Sequence, residues 1–399
     1  MLNKTKIKTF VIALFLFYNL VPLVLYGWYY ITFDQMAIRM DLLPQLVGAD
    51  IVRTGEGHFL YNEATQLGYQ LSLMGNHPRT WLLPFRNLPL VAVLFIPLSL
   101  FSHHVAYVAL MLINCVFLFL TSFVLFRNNF KKVAIYFLFF LAYPPVFVCL
   151  IYGQFNCVLL FVVALSYVLL KNKSDGLLLG FLSALLALKI NFLLFLPYLF
   201  LLSKHKAKFT LGSLLSLSLQ FLISLYIVGI GFIFEYPKFV LHTENAKYGT
   251  LITHSFSLYP VLAKLFATTD ISLLLLLDLV LIILSLLIFH FLRKNDIEIK
   301  FSLGIVLTLL LAFHVQIQDL TLLVIPLIVL IDRVPRIANK FILGFVVIAL
   351  LVFFEFLTSI PDKFAYIGPL GVMLFGLLLL YVARIGKRND TGDIILVNH

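Results

Sequence analysis

The sequence predicts an all-α polytopic membrane protein of about twelve transmembrane helices, with interfacial helices in a first extracytoplasmic loop. Three observations predict it. Hydrophobic residues make up 62% of the 399 and charged residues only 12%, with a mean hydropathy of +1.06, whereas soluble domains carry about 25% charged residues. The apolar runs are continuous and rich in Leu and Phe, instead of alternating every second residue as the strands of a membrane barrel do. The net charge of +11 comes as short Lys/Arg clusters between those runs, the pattern of cytoplasmic loops, which argues against a nucleic-acid surface.

Taken in order, Lys4, Lys6 and Lys8 precede an apolar run from Thr9 to about Ile31. The run is too long for a signal-peptide core, and it ends in Tyr26-Gly27-Trp28-Tyr29-Tyr30, an aromatic belt with no small-residue cleavage site, so it reads as a retained first span. Residues 32–103 then form the first extracytoplasmic segment. Within it Leu42, Leu43, Leu46, Val47 and Ile51 share one helical stripe opposite Asp41, Gln45 and Gly48, which predicts a helix lying flat on the outer membrane surface. Leu88 to Phe101, about 14 residues, is too short to span. Pro89 and Pro97 weaken it further as a crossing helix, and it is expected to re-enter from the outer face.

Further spans are expected near 104–126, 133–150, 156–170, 176–188, 190–202, 209–232, 271–292, 300–313, 320–331, 341–360 and 364–383. Basic clusters at Arg127/Lys131/Lys132, Lys171/Lys173, Lys204/Lys206/Lys208, Arg293/Lys294/Lys300, Arg333/Arg336/Lys340 and Arg384/Lys387/Arg388 hold most of the 29 Lys and Arg. They place the intervening short loops and both termini in the cytoplasm. Residues 233–270 form a second extracytoplasmic segment, and the whole of 1–399 reads as one domain of a bacterial inner membrane. No internal repeat is evident, which weighs against an inverted-repeat transporter. Cys115, Cys149 and Cys157 lie in or beside apolar segments, with neither a disulfide framework nor zinc spacing.

Polar residues stand out against this background. Asp41 opens the first polar stretch and offers a carboxylate at the membrane surface. The competing reading makes it the N-cap of the following helix, with Pro44 tolerated in the first turn. Lys189, in Leu188-Lys189-Ile190-Asn191, interrupts an apolar stretch at an outer turn, where an ammonium requires a partner; it either snorkels to water or binds phosphate. Gly153-Gln154-Phe155-Asn156 supplies amides at the outer ends of two spans. His314, Gln316, Gln318 and Asp319 occupy another outer turn, and His242, Glu244, Asn245, Lys247, Tyr248, His254 and Ser255 the second outer segment. No spacing among them is diagnostic of a metal site. Their shared outer face suits a substrate that is half lipid and half sugar phosphate, whose tail stays in the bilayer.

The order of Asp41, Gly48-Ala49, Gly55, Leu60-Tyr61, a Pro-containing half-helix, Gly153-Gln154-Phe155-Asn156, and Lys189 ahead of Pro197 resembles the GT-C glycosyltransferases, specifically glycosyltransferase family 87. The resemblance is most specific over residues 41–202. It implies a GT-C fold and transfer of a sugar, mannose-like or another hexose or pentose, from a polyprenyl-phosphate donor to a lipid or glycan acceptor on the extracytoplasmic face. It implies membrane lipids as surroundings, no nucleic-acid partner, no cofactor and no required metal. The family's catalytic aspartate falls on Asp41, its Gly-Gln-x-Asn element on Gly153 to Asn156, and its lysine on Lys189. Two departures stand out: Pro44-Gln45 occupies the place of a usual tyrosine, and Phe85-Arg86-Asn87-Leu88-Pro89 that of a Tyr-Pro-Pro before the half-helix.

The implied chemistry is an inverting displacement with Asp41 as general base. Lys189, Gln154, Asn156, His314, Arg53 and Tyr61 are the candidates for the donor phosphate and sugar, and His254, His242 and Asp319 for the acceptor or its loops. Asp50 is nine positions from Asp41 along one helix and well separated from it, so a two-carboxylate retaining mechanism is not expected. The alternative is a lipid or solute transporter or flippase, for which Asp278 is the mid-span acid.

Overall fold

A computed structural model describes residues 41–75, 81–174, 176–244, 248, 255–267, 271–291, 296–333 and 367–392, and a few positions between 20 and 32. The expected spans at 341–360 and, but for those few positions, 9–31 lie outside the described residues, as does His254. The described elements are helical: α1 (Leu42–Arg53), α2 (Glu63–Met74), α3 (Pro89–Ser99), α4 (His103–Phe126), α5 (Phe130–Leu141), α6 (Pro144–Ile151), α7 (Asn156–Lys171) and α8 (Leu177–Ala184). There follow α9 (Phe195–Leu202), α10 (Lys206–Val228), α11 (Phe232–Thr243), α12 (Tyr259–Leu265), α13 (Ile271–Phe291), α14 (Ile297–Leu311), α15 (Val324–Arg333) and α16 (Ile367–Gly392).

The protein is a membrane protein on the evidence of these helices. α4, α10 and the Leu273–Phe291 part of α13 are each long and apolar enough to cross a bilayer. The expected span 133–150 is instead broken: α5 and α6 meet at 67°. Its cause is local. Pro144 and Pro145 have no amide hydrogen to continue α5, and a residue preceding proline is pushed out of the helical region, as Tyr143 is, at φ −78 and ψ 119. Most other apolar runs form shorter helices, such as α3 and the stretches Leu177–Leu188 and Ile190–Leu202.

Two compact units divide the chain: residues 1–162 with 217–250, and residues 163–216 with 251–399. In the first, α1 packs against α2 and α3. Every residue from Leu42 to Ile51 is buried, so the expected one-sided surface helix is corrected to a helix enclosed around its circumference. The face opposite the Leu stripe is closed by Phe85, whose ring lies so near Gly48 that a Cβ there would sit 2.8 Å away. The segment 81–88 is extended, and α2 holds it with two glutamines one turn apart. Gln70 accepts from Leu83 N at 2.8 Å and donates to Trp81 O at 2.9 Å. Gln66 accepts from Phe85 N at 2.8 Å and donates to Leu60 O. The side-chain amides stand where a neighbouring strand would be, satisfying buried main-chain groups.

In the second unit, helices approach closely at glycines, as they do in membranes where packing rather than dehydration drives association. A Cβ on Gly180 would overlap Phe209 O, and one on Gly212 would overlap Leu177 O. The chain around Lys189 is neither a single helix nor a smooth loop: 3-10 turns Leu185–Leu188 and Ile190–Leu194 flank it, and α8 and α9 pack together across the break. Residues 255–258 run beside the end of α14, with Phe256 N bonded to Val315 O at 2.8 Å and Leu258 N to Leu310 O at 2.7 Å.

Candidate active site

Asp41 is the N-cap residue of α1 by position but makes no side-chain capping bond. The capping reading is therefore overturned. Its Oδ2 instead accepts a 2.7 Å hydrogen bond from Gln154 Nε2. Gln154 reaches it from a turn built on Gly153, whose φ of +68 is a conformation that glycine adopts at little cost. A Cβ at Gly153 would also come within 2.9 Å of Leu42 Cβ. The turn follows α6, which begins Tyr143-Pro144-Pro145. Asn156 opens α7 and is fully buried.

Arg86 is a residue that sequence reasoning passed over. Its Nε donates to Thr243 Oγ1 at 3.0 Å, its Nη2 to Thr243 O, and its Nη1 lies 3.7 Å from Glu244 Oε2. Burial pulls the pKa of the guanidinium below its ordinary value, and the charges of Glu244, Asp41 and the Tyr248 phenol oppose that in turn. Arg86 thus belongs to the electrostatic surroundings of Asp41. Its neighbour Asn87 donates to Gln45 Oε1 at 2.9 Å, and Tyr236 OH donates to Arg86 O at 3.2 Å. The only signal in the sequence is an arginine placed just before an apolar half-helix.

The other first-unit candidates take their own positions. Tyr61 donates to Asn87 O at 2.9 Å and packs against Tyr236 and Phe239 at ring-centre distances of 5.1 and 5.6 Å. Burial, with Tyr236 second, pushes its phenol well above the usual range, so it serves there as a neutral donor. Arg53 pairs with Asp50 at 2.8 Å, at the opposite end of α1 from Asp41, about 18 Å along the axis at 1.5 Å per residue. His242 Nε2 lies 3.1 Å from Glu63 Oε1, whose other oxygen accepts from Tyr248 OH at 2.5 Å.

In the second unit Lys189 has the partner its setting demands. Its Nζ lies 2.5 Å from Asp319 Oδ1, with Asp319 fully buried and the Lys189 side chain 14% exposed. The snorkelling reading gives way to a buried ion pair. Asp319 Oδ2 also accepts from Gln316 N at 2.9 Å, closing a capping box at the start of the 3-10 turn Ile317–Leu323. His314 Nε2 is 3.2 Å from Gln316 Nε2, and its carbonyl accepts from Asn191 Nδ2. Lys189, Asn191, His314 and Asp319 therefore form one cluster.

The model of glycosyltransferase family 87 matches residues 85–314, more than half of the chain. The chain belongs to glycosyltransferase family 87. Membership makes it a glycosyltransferase that uses a sugar donor and an acceptor, as the resemblance implied. No curated protein and no solved structure shows detectable similarity to it. The matched span takes in Arg86, Gln154, Asn156, Lys189 and His314, and begins after Asp41. Among the described residues of this family 87 member, no group of three or more His, Cys, Asp or Glu is placed to hold a metal ion.

Proposed function

We propose that the protein is an inverting glycosyltransferase that moves a mannose-like sugar from a polyprenyl phosphate to a hydroxyl of a lipid or glycan at the extracytoplasmic face of a bacterial inner membrane. The observation that carries the reading is the state of Asp41. A carboxylate at the start of a helix buried from Leu42 to Ile51 does not cap that helix and accepts a 2.7 Å bond from Gln154 Nε2. A carboxylate fixed by such a bond is pre-oriented for proton transfer, the geometric requirement on a general base.

In the proposed step the Asp41 carboxylate accepts the proton of the acceptor hydroxyl as the hydroxyl oxygen attacks the anomeric carbon. The new C–O bond forms on the face opposite the bond to phosphate, which breaks with its electron pair leaving on polyprenyl phosphate. One displacement inverts the anomeric centre. Lys189, oriented by Asp319, is assigned to the charge that grows on the departing phosphate, with His314 beside it in the same cluster. Arg86 tunes the field at Asp41. Arg53, paired within its own helix turn, and Tyr61, spent on Asn87, act in holding the fold around the site.

The test is sugar transfer from radiolabelled polyprenyl-phosphate mannose, glucose and arabinose by the purified protein, comparing wild type with Asp41→Asn. Transfer by wild type and its loss in a folded Asp41→Asn variant is the expected result, with the product's anomeric configuration opposite to the donor's. Undiminished transfer by Asp41→Asn would move the base elsewhere. Retained configuration would exclude the single displacement, and no transfer with any donor would turn attention to a transport role centred on the buried Asp278.

A further inference from the structure

Asn114 is the residue with the least obvious reason to exist. It sits midway along α4, an apolar helix long enough to cross the membrane, and is fully buried. A buried amide in such a place is costly unless it is bonded. Its Nδ2 donates to the main-chain carbonyl of Gln154 at 2.7 Å. Among the described residues its Oδ1 has no hydrogen-bond partner. An amide retained as adhesive between helices would use both of its halves. This one leaves a buried acceptor unsatisfied while placing a single donor on one carbonyl, and each such group in a native protein calls for an explanation.

Tyr107 makes the pattern clearer. It lies seven positions earlier on α4, about two turns and hence on the same face. Its hydroxyl contacts Ile151 O at 3.1 Å and Leu150 O at 3.4 Å. Both carbonyls belong to the last turn of α6, where the helix itself supplies no N–H donors for them. Cys149 Sγ also donates to the Gln154 carbonyl, at 3.5 Å. One face of α4 thus grips the end of α6 with Tyr107 and the turn after it with Asn114, and the side chain of that turn, Gln154, is the group that holds Asp41.

We infer that Asn114 is a positioning residue for the transfer reaction: it fixes the height and rotation of the Gly153–Gln154 turn, and through Gln154 the orientation of the Asp41 carboxylate. The inference rests on the assignment of Asp41 as the base. It gives the amide a single task, which accounts for its idle oxygen. Leucine, of similar size and branching, fills the site without the donor.

The experiment is a kinetic cycle with radiolabelled polyprenyl-phosphate mannose and an alkyl mannoside acceptor on four purified proteins: wild type, Asn114→Leu, Gln154→Leu and the double variant, with Asp41→Asn run alongside. Asn114→Leu is expected to lower kcat by about three- to tenfold, no more than loss of the Gln154–Asp41 bond that it positions, with KM for both substrates within about threefold. In the Gln154→Leu background the same substitution is expected to change kcat by less than twofold, because the route to Asp41 is already cut. Equal losses in both backgrounds, accompanied by a lowered Tm, would show a structural role and overturn the inference. So would an unaffected kcat in Asn114→Leu while Asp41→Asn is inactive. Absence of transfer by wild type, or full transfer by Asp41→Asn, would overturn the assignment of the base and this inference with it.

Discussion

Gln154 Nε2 and Asp41 Oδ2 stand 2.7 Å apart although 113 positions separate them in the chain. The bond joins the turn after a broken helix to the N-cap residue of α1. Removing it takes one hold off the carboxylate while leaving the carboxylate in place. Gln154→Leu is expected to keep its Tm within a few degrees and to lose about tenfold in kcat, a deficit on the scale of one charge-assisted hydrogen bond. Steady-state transfer kinetics beside a thermal-shift measurement in detergent checks both halves.

Gly153 is expected to tolerate no side chain. Alanine there faces a left-handed backbone at φ +68 and a Cβ 2.9 Å from Leu42 Cβ. Strain of about 1–3 kcal/mol would be relieved by moving the turn away from α1. The expected outcome of Gly153→Ala is a lowered Tm together with a larger loss of transfer than Gln154→Leu shows.

The pair of Lys189 and Asp319 predicts an asymmetry. Asp319→Leu leaves a largely buried ammonium without its carboxylate, which in buried pairs costs about 3–5 kcal/mol. The double variant Lys189→Met with Asp319→Leu removes both charges and is expected to recover much of the lost Tm. It is expected to remain inactive, since the proposed phosphate ligand is gone. Recovery of transfer in the double variant would remove Lys189 from the mechanism.

Arg86→Lys tests whether charge alone suffices. A lysine keeps the cation but not the planar fork that reaches both Thr243 Oγ1 and Thr243 O. A loss of about 1–3 kcal/mol in stability and a fall in transfer rate are expected, read by thermal shift and kinetics. A variant indistinguishable from wild type in both would reduce Arg86 to a generic positive charge.

What the sequence disclosed follows from contrast. Asp41, Gln154 and Lys189 were visible because polar groups are rare in an apolar chain and must earn their place there. Their partners were not visible, because a bond from residue 41 to 154, or from 189 to 319, leaves no local trace. The enclosure of α1 was missed for a different reason: its second face carries Gly48, Pro44 and Gln45, which look exposed by pattern yet are the small or bonded residues that allow Phe85 and Asn87 to close over them. The break at Tyr143-Pro144-Pro145 was legible in principle, since two prolines within an apolar run forbid a continuous helix. Arg86 carried only its identity, and its grip on Thr243 is a product of tertiary structure.

The two glutamines of α2 have a consequence for how this chain can change over time. They read the extended segment 81–88 through alternate main-chain groups, at Trp81 O, Leu83 N and Phe85 N. Extended chain alternates its faces every residue, so losing or gaining a single residue between Trp81 and Arg86 would turn the guanidinium toward the wrong side. The exposed side chain of Trp81 is open to drift, but the length of the segment is not: a frame of two amides has made it a ruler.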